Sequence, residues 1–103
     1  MLIITTDNIP GKTLVPLGLV KGSTIQTVNA VRDIGAGLKT LIGGELTKYN
    51  EMMDKVREIA TDRMTNEARR LGADAIVGVR FSSASIMQSA AEIMAYGTAV
   101  KFE

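Results

Sequence analysis

The chain has 103 residues and a net charge of +1, with 12 Lys and Arg against 11 Asp and Glu, so it supports one small domain and projects no field toward nucleic acid or an anionic membrane. It contains neither cysteine nor histidine, which excludes disulfides, thiol nucleophiles, thiolate and imidazole metal sites and the commonest general base. No apolar run approaches the ~18 residues of a membrane-spanning helix, and the N-terminal Met-Leu-Ile-Ile-Thr-Thr-Asp has no basic region or cleavage pattern of a signal peptide; a cytoplasmic protein is expected.

Leu2 to Thr5 reads as a short strand, ended by Asp7-Asn8 and the turn pair Pro10-Gly11. Thr13 to Val20 is a second extended run, and Pro16 within it predicts an edge or bent strand. Lys21-Gly22-Ser23 reads as a turn, after which Thr24 to Val28 resumes the strand. Asn29 is placed to cap a glycine-spotted helix from Ala30 to Leu41, and Gly43-Gly44 then breaks the chain. A long helix runs from Glu45 to Leu71 and stops at Gly72, with Arg69-Arg70 in its last turn. Its polar stripe is Lys48, Glu51, Lys55, Glu58, Asp62, Thr65 and Arg69. The opposite face carries Leu46, Tyr49, Met53, Val56, Ala60, Met64 and Leu71. Ala75 to Ser85 and Ala91 to Phe102 read as two further strands joined by a loop around Met87-Gln88-Ser89. No linker or repeat divides residues 1–103. The expected class is α+β, two-layered, with a mixed, mostly antiparallel sheet and one long and one short helix on one face.

The last strand has two different faces. Ile93, Ala95, Gly97 and Ala99 are mostly small enough for close helix packing, whereas Met94, Tyr96, Thr98, Val100 and Phe102 are too apolar to face water. Cover for that second face is expected from a neighbouring subunit, which predicts an oligomer. The core is expected to be short of aromatic bulk, with two Phe, two Tyr and no Trp, and six Met as filler.

Three charges fall on the apolar side of the long helix: Glu45, Arg63 and Glu67 line up with Val56 at ~100° per residue. Buried singly they would be costly. They are expected either as a structural ion pair at the core margin or a subunit contact, or as a polar pocket formed by Arg63, Glu67 and Tyr49. Arg80 joins either version, with Ala75, Val77, Val79 and Phe81 on the opposite strand face.

Other chemistry finds little support. The stretch Gly35-Ala36-Gly37-Leu38-Lys39-Thr40 fails the phosphate-loop pattern, because Leu38 stands where Gly must precede Lys and Asp33 where the earlier Gly belongs. A dinucleotide fingerprint fails at Thr40. Ser82, Ser83, Ser85 and Ser89 have no histidine to activate them. Met52-Met53, Met87 and Met94 suit gap-filling better than a thioether metal site. No catalytic residue, cofactor or metal ligand is assigned.

The sequence resembles the YbjQ family of small bacterial and archaeal proteins, which carry a heavy-metal-binding label. The resemblance rests on Pro10-Gly11, Leu17-Gly18, Asp33-Ile34 through Gly37, Gly43-Gly44-Glu45, Tyr49, Arg63-Met64, Gly72-Ala73-Asp74-Ala75, Gly78-Val79-Arg80-Phe81 and Ala95 to Val100. It spans almost the whole chain and departs at Lys12, where family members often carry Tyr. It implies a dodecin-like subunit assembled as a ring-shaped homopentamer, with no settled activity or functional residues. The metal label sits badly with a chain lacking Cys and His. The leading expectation is a non-enzymatic oligomeric binding or scaffold protein. The alternatives are a ring binding a small ligand or a weak metal ion between subunits through Glu45, Arg63, Glu67 and Arg80, and an enzyme using carboxylate and Arg chemistry.

Overall fold

The computed structural model describes residues 1–27, 44–87 and 90–103, and the side chains of residues 1–25, 50–86 and 90–103. Its elements are β1 (Leu2–Ile3), β2 (Leu14–Thr27), α1 (Gly44–Arg70), β3 (Ala75–Met87) and β4 (Ala90–Phe102). The sheet order is β1-β3-β4-β2. β1 pairs with β3 in parallel, and β4 lies antiparallel to both β2 and β3. The class is α+β with a mixed sheet, as the sequence pattern predicts. The predicted helix from Ala30 to Leu41 and the loop residues Gln88 and Ser89 lie outside the described residues.

α1 packs mainly on β2 and β4. Its buried residues Val56, Ala60, Met64 and Ala68 meet Val20, Ile76, Val79, Ala95 and Ala99 from the sheet. Met64, Ile76 and Val20 are the largest side chains fully buried. Among the described residues the fully buried core is thin and holds no aromatic ring, in line with a composition short of aromatic bulk. The helix ends in a Schellman motif: Ala73 N–H donates to the Ala68 carbonyl at 3.1 Å and Gly72 N–H to that of Arg69 at 3.0 Å, with Gly72 at φ 77°. Two helix assignments need correction. Thr65, placed on the polar stripe, is buried, and its hydroxyl donates to the Thr61 carbonyl at 2.8 Å. Leu71, placed on the apolar face, is 47% exposed because it falls in the turn after the last helical residue.

Lys21-Gly22-Ser23 is not a turn. β2 runs unbroken through it, with Gly22 opposite Ala95 on β4. Glycine is required there because α1 crosses directly above: a Cβ at Gly22 would collide with the Met64 nitrogen and the Ala60 carbonyl oxygen, and would lie 2.7 Å from the Arg63 Cβ. Close backbone approach, not chain reversal, explains the residue. Pro16 behaves as expected, since β2 is an edge strand and its register with β4 shifts between Pro16 and Gly18.

A second irregularity changes which residues share a face. The β3–β4 register jumps from Val77↔Thr98 to Arg80↔Tyr96, so Gly78 and Val79 together oppose Gly97. Gly78 has φ 62°, the left-handed conformation of a glycine bulge. The bulge is braced by the N-terminus, with Gly78 N–H donating to the Thr6 carbonyl at 2.8 Å and Val79 N–H to the Ile4 carbonyl at 3.0 Å. Ala75 and Val77 therefore lie on the sheet face away from α1, packed with Val100, while Ile76 and Val79 face the helix. The sequence expectation that Ala75, Val77, Val79 and Phe81 share one face, with Arg80 opposite, fails at this extra residue.

Candidate functional site

Of the polar residues proposed from the helix pattern, the side chains of Arg63, Glu67 and Arg80 are described, and these three do not meet one another. Arg63 is exposed, and its guanidinium reaches across β2 to donate to the Ser23 carbonyl at 2.5 Å. Glu67 is half-buried. No ion pair joins them. Among the described residues the one ion pair is Arg57 with Asp54, 2.9 Å apart on the helix surface. α1 rests on the sheet along Val56, Ala60, Met64 and Ala68, which turns Arg63 outward. Arg80 shares the register face of Val77 and Thr98, on the other side of the sheet from α1, and donates to the Thr5 and Val79 carbonyls at 2.9 Å. The side chains of Glu45 and Tyr49 lie outside the described residues.

The structure instead draws attention to the N-terminal loop. Residues 4–14 fold over one end of the open sheet face, where Ile4, Ile9, Leu14 and Phe102 pack on Ala75, Val77 and Val100. A bond from Lys12 N–H to the Ile9 carbonyl at 3.1 Å closes the loop, and the Lys12 ammonium sits 5.0 Å above the Phe102 ring. Beside this contact lies a cleft of about 330 Å³. Leu14, Pro16, Val77 and Val100 give it an apolar floor, with the Thr98 side chain among them, and Asp7 and Asn8 wall it on the loop side. A smaller groove of about 180 Å³ separates Met53 and Arg57 on α1 from Phe81, Ser82, Ser83 and Ile93 on the sheet. Sequence reasoning missed the cleft because Asp7-Asn8 before Pro10-Gly11 is what any turn shows, and the pairing of that loop with Thr98 is wholly tertiary.

Donor chemistry argues against a heavy-metal centre. The chain has no Cys or His, leaving methionine thioethers, weak donors better suited here to filling gaps, and carboxylates, which prefer hard cations to soft ones. Among the described residues no three carboxylates come together.

Comparison with known proteins places the chain firmly. The family model described as "Putative heavy-metal-binding", YbjQ, matches residues 1–103. The UPF0145 protein of Clostridium novyi is 55% identical over 101 residues, covering 98% of each chain. That of Thermus thermophilus is 52% identical over 104 residues, covering 100% of this chain and 91% of its own. An archaeal relative, the UPF0145 protein of Methanosarcina acetivorans, is 51% identical over 102 residues, covering 98% and 96%. A crystal structure of a Pediococcus pentosaceus protein of unknown function, of the DUF74 family, superposes with a TM-score of 0.69 at 18% identity, covering 100% of this chain and 98% of that one. That likeness establishes the fold alone. With a full-length family match and relatives above half identity, the chain belongs to the YbjQ (UPF0145) family, whose function is uncharacterised.

Proposed function

We propose that this protein is a cytoplasmic, non-enzymatic binding or scaffold protein that works as a ring of identical subunits. One observation carries the reading: among the described residues, sheet edges and apolar side chains are left uncovered. Among the described residues β2 pairs with no strand on its outer side, and beyond Val79, the last β3 residue bonded to the N-terminal segment, the strand beside β3 is β4 alone. Leu19 and Phe81 are 67% and 52% exposed, and Ile25 and Ile86 are exposed beside them on the same two strands. Long apolar edges left open are an aggregation hazard.

The dimensions agree. The radius of gyration is 16.7 Å, against about 13 Å for a compact domain of this size. The accessible surface is 6738 Å², where a compact 11.0 kDa monomer would show about 5,600 Å². The excess is of the order of the ~800 Å² each partner buries in a standard interface. The occupant we favour is a second copy. The two open edges, β2 and outer β3, are different surfaces on opposite sides of the sheet, so joining one to the other is a head-to-tail contact, the kind that closes into rings. The count of five rests on the family resemblance.

Static light scattering at low micromolar protein tests the reading. A ring gives about five times the mass of one chain, and Leu19→Lys with Ile25→Lys lowers it. A one-subunit mass overturns self-assembly. A dimer or trimer keeps the covered edges and rejects the ring of five.

A further inference from the structure

We infer that the cleft between residues 7–8 and the open sheet face binds a small primary amine, as its ammonium ion, carrying a short aliphatic body. Asp7 is the one formal charge among the residues lining the cleft, while the neighbouring cations are engaged elsewhere, Lys12 over the Phe102 ring and Arg80 on the Thr5 and Val79 carbonyls, so the lining itself suits a cation. Asp7, Asn8 and Thr98 offer a carboxylate, an amide carbonyl and a hydroxyl. All three groups can accept a hydrogen bond, the capacity an ammonium donor requires. None of the three side chains has a hydrogen-bond partner among the described residues. The remaining lining is aliphatic, with Leu14 and Pro16 from β2 and Val77 and Val100 from the sheet centre. A volume of about 330 Å³ lies at the small end of ligand pockets.

The loop is held in place before any ligand arrives. Thr6 is tied through its carbonyl to the Gly78 N–H, and its hydroxyl donates to the Asn8 carbonyl at 3.0 Å. Asp7 Oδ1 lies 3.3 Å from where a Cβ on Gly78 would stand, so the carboxylate rests close against the bulge. A site held this way loses little freedom on binding. Every wall belongs to one chain, and the proposal requires that the cleft stay open when copies of the chain assemble.

Titration of ¹⁵N-labelled protein with n-pentylamine, 1-pentanol and pentanoate, at fixed pH and ionic strength, tests it. Amine binding should be saturable and shift the amides of Asp7, Asn8, Val77 and Thr98. Pentanol should bind at least about tenfold more weakly, the cost of a lost charge-assisted hydrogen bond, and pentanoate should leave these amides unmoved. Asp7→Asn, at an exposed position, should erase the preference for amine over alcohol, and Thr98→Val should weaken the amine by a smaller factor. Equal response to amine and alcohol, an unchanged preference in Asp7→Asn, shifts centred elsewhere, or no response to the amine would each overturn the assignment. So would shifts of the same amides with protein concentration alone, which would give the cleft to a second copy.

Discussion

Replacing Gly22 by alanine adds one methyl group at the point where helix and sheet come closest. The new Cβ would meet backbone atoms of Ala60 and Met64 and lie 2.7 Å from the Arg63 Cβ, well inside the ~3.5–4.0 Å of ordinary carbon contact. Backbone cannot rotate away, so α1 must lift by on the order of 1 Å, and a gap of that size forfeits a quarter to a half of the dispersion energy of each facing contact. The side chains losing contact are Val20, Ala60, Met64 and Ala68, all fully buried. Overpacking alone costs ~1–3 kcal/mol, and with the loosened core we expect about 3 kcal/mol, or a fall of about 12–24 °C in Tm for a domain this size. Thermal and urea unfolding at matched protein concentration measure it, since assembly makes Tm concentration-dependent. Gly11→Ala is the control: it has positive φ but nothing within 4 Å of the added Cβ, so it should lose only the ~1–2 kcal/mol of left-handed strain. If Gly22→Ala proves no worse than Gly11→Ala, the close helix crossing is wrong.

Arg63→Ala should cost about 1 kcal/mol, the value of one exposed hydrogen bond to Ser23, and adding Glu67→Gln should be additive within about 0.5 kcal/mol; recovery of stability in the double variant would mean that the two charges are paired. After dialysis against chelator, elemental analysis should find well under one Zn²⁺, Cu²⁺ or Cd²⁺ per chain, because the sequence supplies no thiolate or imidazole. Stoichiometric retention would refute that donor argument.

The elements legible in the sequence are those whose signal is local and repeated. The long helix announces itself through its stripe and through Gly72, and β4 through the small residues at Ala95, Gly97 and Ala99. The errors cluster where one glycine acts through distant contacts. Gly22 looks like a turn because Lys-Gly-Ser is turn-like, and only the helix 40 residues on explains it. Gly78 hides in an apolar run, yet its extra residue moves Val79 to the helix side and Arg80 away from it. A helical wheel placed Arg63 inward because it takes the middle of the apolar arc as the contact line. The true line follows the small residues Ala60 and Ala68, which let α1 approach the sheet. The cleft was not legible, since it pairs a polar loop with a threonine about 90 residues away.

The position of β4 in the sheet sets the order in which the protein can be made. It follows β2, α1 and β3 in the sequence, yet among the described residues β2 and most of β3 have no other strand to join. Leu14 meets Phe102, at the far end of the chain, and β1 waits for Ala75 and Ile76. Contacts this distant in sequence slow folding. Among the described elements α1 satisfies its own backbone while the chain emerges from the ribosome, and β2 lacks its partner until β4 has followed. Loss of β4 would therefore remove the strand that joins the two sides of the sheet, and a nascent chain stalled before it would present its apolar strands to any chaperone or neighbour within reach.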